Sequence, residues 1–177
     1  MFKKFIPYCH ATSIYDINIQ FFLDIGVKNI LLDLDNTLDS YKLYKPTNRA
    51  IELIKRFQNN GISPIVISNN KGKRVSSYAN ALKIPYINSA MKPFAKKITQ
   101  YIEHNHIDKN TLVFVGDQMM TDVLACHNAG IRCILTEKIV KEDQFTTHIN
   151  RIFDRVIRRH LRRKGKLIDW RELWQKQ

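Results

Sequence analysis

The chain has 177 residues, 44% of them hydrophobic and 25% charged, and carries a net charge of +13 from 29 Lys or Arg against 16 Asp or Glu. That length supports one domain with a real core plus a short remainder, and excludes two full domains. Its three cysteines, Cys9, Cys126 and Cys133, are odd in number and share no Cys-x-x-Cys spacing, so a disulfide framework and a zinc site are not indicated and a reducing cytoplasm fits best.

Residues 1–28 start with a basic Met-Phe-Lys-Lys-Phe-Ile-Pro run, but Pro7, His10 and Asp16 interrupt what would have to be the apolar core of a signal peptide. No stretch approaches the roughly 18 apolar residues needed to span a bilayer, and the expectation is a soluble or peripheral protein. Phe2, Phe5, Ile6, Phe21 and Phe22 suggest only that this stretch packs on the domain or touches membrane.

From residue 29 the pattern alternates. Residues 29–34, 62–67, 84–87, 111–115 and 131–135 are short, β-branched runs bounded by Gly, Pro, Asn or Asp and predict strands. Residues 47–60, 73–82, 93–106 and 119–129 predict helices, with Gly61 and Gly130 placed where left-handed caps close them. Short apolar strands separated by such helices argue for βαβ units and a doubly wound α/β domain with a parallel sheet. Ligands of such sheets bind at the carboxyl ends of the strands.

The polar residues at those ends form a consistent set. Asp33, Asp35 and Thr37 follow the first strand; Ser68, Asn69 and Asn70 the second; Lys92 and Pro93 the third; Gly116, Asp117 and Asp122 the fourth. Residues i and i+2 of a strand project from one face, so the carboxyl groups of Asp33 and Asp35 are expected side by side at the strand's exit. Two such carboxylates coexist most easily with a divalent cation between them, or with one protonated while the other acts as nucleophile.

Phosphoryl transfer needs a nucleophile, a proton donor for the leaving oxygen and positive charge around the transferring group. Asp33 suits the nucleophile, forming an aspartyl-phosphate, and Asp35 the acid and then base. Magnesium held by Asp33, the backbone carbonyl of Asp35 and Asp117 would relieve the carboxylate repulsion. Thr37, Ser68, Asn69 and Lys92 are the expected phosphate-binding residues, with Asp122 supporting Lys92 or a metal-bound water from behind.

Asp33-Leu-Asp35-Asn-Thr37, Ser68-Asn69, Lys92-Pro93 and Gly116-Asp117-Gln-Met-Met-Thr-Asp122 resemble the four ordered motifs of the haloacid dehalogenase-like phosphatase superfamily, across roughly residues 30–135. The finer pattern is similar to subfamily IIIA, YqeG-like, and to phosphatidylglycerophosphate phosphatases. The resemblance implies a Rossmann-like fold and magnesium-dependent phosphomonoester hydrolysis through Asp33. Only 35 residues separate Asp33 from Ser68 and 24 separate Ser68 from Lys92, which leaves no room for a cap domain. A lidless site favours a bulky substrate that covers the opening itself: a phospholipid head group or a phosphate on a macromolecule.

Residues 151–166 hold eight Lys or Arg against one Asp, more than half of the whole excess charge. The expected division is therefore a phosphatase domain over 1–150 and a basic amphipathic helical tail over 151–177. On a helical wheel Ile152, Phe153, Val156, Ile157 and Leu161 share one half, and Arg151, Arg155, Arg158, Arg159 and Arg162 the other. The apolar half packs on the domain and the arginines stay solvated or meet an anionic membrane. Trp170 and Trp174 either anchor at that interface or belong to a closing helix docked on the core.

These features favour a lipid phosphatase, peripheral on the inner face of the membrane and acting on phosphatidylglycerophosphate, the lipid itself being implied only by the resemblance. A soluble nucleotide or sugar phosphate is the alternative substrate. An RNA- or ribosome-associated binding protein is a second alternative, although binding nucleic acid gives no reason for Asp33, Asp35, Lys92 and Asp117 together. Oligomeric state is left open.

Overall fold

A computed structural model of the chain describes residues 2–140 and 148–176. Among the described residues six parallel strands form one sheet: β1 (Cys9–Ala11), β2 (Asn29–Asp33), β3 (Ser63–Ile67), β4 (Tyr86–Ile87), β5 (Leu112–Gly116) and β6 (Arg132–Thr136), in the order β1-β6-β5-β2-β3-β4. The chain winds outward from β2 through β3 to β4, then crosses back to β5 and β6. The reversal of direction lies between β2 and β5, where the ends of Asp33 and Gly116 sit side by side.

Alternation along the central strands explains the layers. Ile30 and Leu32 of β2 and Val113 and Val115 of β5 face one core, with Leu53, Ile54 and Phe57 of α2 (Asn48–Asn59), Val75, Tyr78 and Ala79 of α3 (Lys73–Leu82), and Phe21 and Phe22 of α1 (Ile19–Asp24). Leu31, Leu112 and Phe114 face the other, with Ile98 and Ile102 of α4 (Lys96–His104) and Ala125, Cys126 and Ala129 of α5 (Leu124–Ala129). Both faces are covered, so the strands carry almost continuous apolar runs. The expected doubly wound α/β fold is the observed one.

Three local expectations change. Residues 9–11 add a strand, β1, at the β6 edge; its Cys-His-Ala sequence has little β-propensity, and tertiary pairing overrides it. The helix expected over 119–129 is instead a π-helical turn, Met119–Val123, leading into α5. Finally, β2 stops at Asp33, and Asn36 turns the backbone into the left-handed region with φ 64°. Asp35 therefore lies beyond the strand, and the two-residue period no longer places its carboxylate beside that of Asp33.

The C-terminal residues pack on the domain as α6 (His148–Arg163) and α7 (Trp170–Trp174). Trp170 is buried, stacks on Trp174 at 5.8 Å between ring centroids and meets Phe21 edge-on at 5.5 Å. It closes the core and is unavailable as an interfacial anchor. The wheel of α6 is also turned from expectation. Ile157 and Leu161 face inward together with Asp154 and Arg158, whereas Ile152, Phe153 and Val156 remain exposed. Contacts of Arg158 with the carbonyls of Asp117 and Thr136, and of Asp154 with the backbone N–H groups of Met119 and Met120, set that rotation.

Candidate active site

Lys92 is the hub of a buried ionic cluster at the carboxyl ends of β2 and β5. Its Nζ lies 2.5 Å from Asp33 Oδ1 and 2.7 Å from Asp122 Oδ1. Asp33, Asp117 and Asp122 each offer a carboxylate oxygen within 4.8 Å of the others. Burial pushes Asp33 up to about 8, with Lys92 opposing and Asp122 and Asp117 reinforcing the shift. Burial likewise raises Asp117 to about 6 against the pull of Arg151. The surplus negative charge and the oxygen-only donor set suit a hard divalent cation. Asp117 Oδ1 adds an independent sign, being buried with no hydrogen-bond partner among the described residues.

Gly116 is required by space. A Cβ there would come 2.6 Å from Asp122 Cγ and 2.7 Å from its Cβ. The missing side chain lets Asp122 fold back over β5, where its other oxygen accepts from Gln118 N at 3.0 Å.

Asp35 stands on the β3 side of the rim. Its carboxylate accepts from Asn70 Nδ2 at 2.6 Å, from Arg74 Nη2, and from Ser68 Oγ at 3.4 Å. Ser68 Oγ in turn accepts from Asn70 N at 3.1 Å. Asn69 faces the lysine loop: Lys92 N donates to its Oδ1 at 2.7 Å, and its Nδ2 donates to Lys92 O at 2.9 Å. The side-chain amide thus fixes the backbone that carries Lys92, a positioning contact that differs from the phosphate contact expected of it. Thr37 Oγ1 is buried and has no partner among the described residues. The rim thus brings together Asp33, Lys92, Asp117 and Asp122, with Asp35 and Ser68 beside them.

Helix α6 completes the site from outside the four motifs. Arg151 Nη2 lies 2.5 Å from Asp117 Oδ2. Arg158 donates to the carbonyls of Asp117 at 2.7 Å and Thr136 at 2.9 Å, and to Glu137 at 3.1 Å. Asp154 accepts from the backbone of Met119 and Met120, each at 3.1 Å. It thereby caps the open amino end of the π-helical turn that carries Asp122. Glu137 is shared by His10, Arg158 and Arg162, and the His10 hydrogen bond with those guanidinium groups holds its carboxyl down at about 2.

Arg74, Arg151, Asp154 and Arg158 escaped the sequence reading of the site. One signal was available: Arg74 and Arg151 both fall in the opening turns of helices, where the macrodipole disfavours cations unless an anion is close. Each has one, Asp35 and Asp117 respectively.

A family model described as "Mitochondrial PGP phosphatase" matches residues 2–141. Over 173 residues, 97% of this chain and 100% of the relative, the chain is 35% identical to "Probable phosphatase YqeG" of Bacillus subtilis. Among solved structures, "putative 3-deoxy-D-manno-octulosonate 8-phosphate phosphatase" of Vibrio cholerae aligns with TM-score 0.55 at 13% identity, over 89% of this chain and 97% of its own. An uncharacterized Listeria monocytogenes protein aligns with TM-score 0.52 at 12% identity, over 75% and 99%. At such identities these structures support the fold alone. The family match and the full-length relative carry the assignment: the chain belongs to the PGP phosphatase family, within the haloacid dehalogenase-type phosphatases, and is a phosphoric monoester hydrolase.

Proposed function

We propose that the protein hydrolyses the phosphomonoester of phosphatidylglycerophosphate at a membrane surface, with magnesium and through an aspartyl-phosphate on Asp33. The observation that carries this reading is the buried Asp33–Lys92–Asp122 contact beside the unpartnered Asp117 oxygen, on a rim with no cap domain over it among the described residues. Asp33, Asp117 and the backbone carbonyl of Asp35 would hold the ion, which neutralises phosphoryl charge when bound.

The side chains then divide the work. A carboxylate oxygen of Asp33 attacks phosphorus as the bond to the lipid alkoxide breaks, and Asp35 supplies the proton that the alkoxide takes up. Asp35 next accepts a proton from the water that attacks the aspartyl-phosphate, releasing inorganic phosphate and restoring Asp33. Lys92, held between Asp33 and Asp122, stabilises the phosphoryl oxygens, and the Ser68 and Thr37 hydroxyls are the further donors. Arg74 and Asn70 orient Asp35, and Asn69 positions Lys92.

The substrate is tested by assaying the full chain on phosphatidylglycerophosphate in mixed micelles beside a panel of soluble nucleotide and sugar phosphates, with chelator and with added magnesium. Lipid turnover that is lost with chelator and restored by magnesium is expected. Rapid turnover of a soluble ester with none of the lipid would overturn the lipid assignment, and full activity in chelator would overturn the metal.

A further inference from the structure

We propose that the outward face of α6 docks the enzyme on an anionic phospholipid surface, with its first exposed turn at the mouth of the active site. This rests on the reading that the substrate phosphate is carried by a lipid.

The inward contacts leave an unusual outer face. Because Asp154, Ile157, Arg158 and Leu161 face the domain, helical geometry turns Ile152, Val156, Arg159 and Arg163 to the opposite side. Ile152, Phe153 and Val156 are 62%, 54% and 56% exposed, and Arg155, Arg159 and Arg163 are exposed among and beside them. A helix that needed only to close the domain would place its apolar residues inward. Here a buried acid and a buried arginine hold the inward positions, and three large apolar side chains remain uncovered among the described residues.

Charge selects the occupant. A second copy of the chain would oppose these arginines with the same arginines in a twofold contact, whereas an anionic bilayer pairs with them and accepts the apolar side chains between its head groups. Along the helix, an open cleft of about 770 Å³ is lined by arginines in excess of its two acids, Glu137 and Asp154; Glu137 pairs with Arg158 and Arg162, and Arg155, Arg159 and Arg163 add further positive charge that suits lipid phosphates. Position agrees. Ile152 and Phe153 directly follow Arg151, which contacts Asp117, and the exposed Met91 and Phe94 flank Lys92 on the same rim.

The test is sedimentation of the full chain with vesicles of phosphatidylcholine alone or mixed with phosphatidylglycerol. Binding only to the anionic vesicles is expected. The variant Ile152→Ser/Phe153→Ser/Val156→Ser should partition at least about tenfold more weakly while hydrolysing a small soluble phosphomonoester as the parent does. Undiminished vesicle binding by this variant would overturn the proposal. Because the triple change can disturb folding, Phe153→Trp provides a second measurement in an otherwise native chain: its added fluorescence should be quenched by brominated lipid in anionic vesicles, and absence of quenching overturns the docking face. The two readings fail separately. Hydrolysis of micellar phosphatidylglycerophosphate without vesicle binding removes only the docking face, whereas vesicle binding without lipid hydrolysis removes the substrate assignment.

Discussion

The Lys92 cluster and the α6 brace are both ionic networks, the first buried and the second open to solvent at Glu137 and Arg162, and they are balanced in opposite directions. At the centre, Asp33 and Asp122 share Lys92 and Asp117 pairs with Arg151 through one oxygen, three buried acids against two cations; Asp33 is pushed up to about 8 and Asp117 keeps its other oxygen unpartnered among the described residues. In the brace, one acid, Glu137, is shared by His10, Arg158 and Arg162 and is held at about 2. The first network is short of positive charge, as a site that receives a cation should be. The second has it in excess and is satisfied without any ligand. The contrast separates what binds from what holds, and it joins α6 to the catalytic domain more closely than a detachable tail would be.

Substitution at the centre should have the largest effect. Asp33→Asn removes the proposed attacking carboxylate and should lower turnover of a chromogenic phosphomonoester by roughly a thousandfold or more, with circular dichroism melting unchanged or raised because one of three crowded buried acids is gone. Activity near the parent's would exclude Asp33 as the attacking group.

In the brace, Arg158→Met should lower both stability and rate. It removes the guanidinium donor from the Thr136 carbonyl and leaves the Asp117 carbonyl with Arg151 alone, a loss of about 2–4 kcal/mol and roughly 6–12 °C in Tm for a chain of this size. Turnover should fall about tenfold as the Asp117 loop loosens. An unchanged melt would show the brace to be dispensable and would erase the distinction between the two networks.

Gly116→Ala addresses the link between them. The new methyl meets Asp122, and overpacking of this kind costs about 1–3 kcal/mol. Metal affinity, read by titration calorimetry, should weaken more than the melting temperature falls.

The pH dependence separates the two networks by sign. Asp33 rises from 3.8 to about 8 on folding, so between those values the folded state holds more protons than the unfolded one, and stability falls as pH rises through the window. Glu137 has the opposite sign: its contribution is complete above its ordinary 4.5 and is lost as pH falls toward about 2. Metal-free protein should therefore melt lower near pH 8 than near pH 5, and magnesium should raise Tm more at the higher pH because it competes with the proton on Asp33. Equal metal effects at both would contradict the placement of the cation against Asp33.

Much of this frame was readable before the fold was known. The alternation of apolar runs and helical periods gave the parallel α/β architecture, and the polar residues after each run marked the rim on which Asp33, Lys92, Asp117 and Asp122 meet. Other features were not readable. The three residues of β1 form a strand only because β6 offers them an edge. Asn69 faces the Lys92 backbone because their two loops are adjacent. The α6 wheel divides cleanly by polarity and still gave the wrong inward face, because Arg158 and Asp154 find carbonyl and N–H groups of the Asp117 loop that no property of the helix itself reveals.

The sequence by itself determined the order of the elements and which residues stand at the strand ends, since hydrophobic period and turn punctuation act over a few neighbouring residues. Only the tertiary structure decided which charge meets which. Arg151 reaches Asp117 across 34 positions and Lys92 reaches Asp33 across 59. Such pairings depend on how the strands are ordered around the reversal between β2 and β5, not on any local preference of the chain.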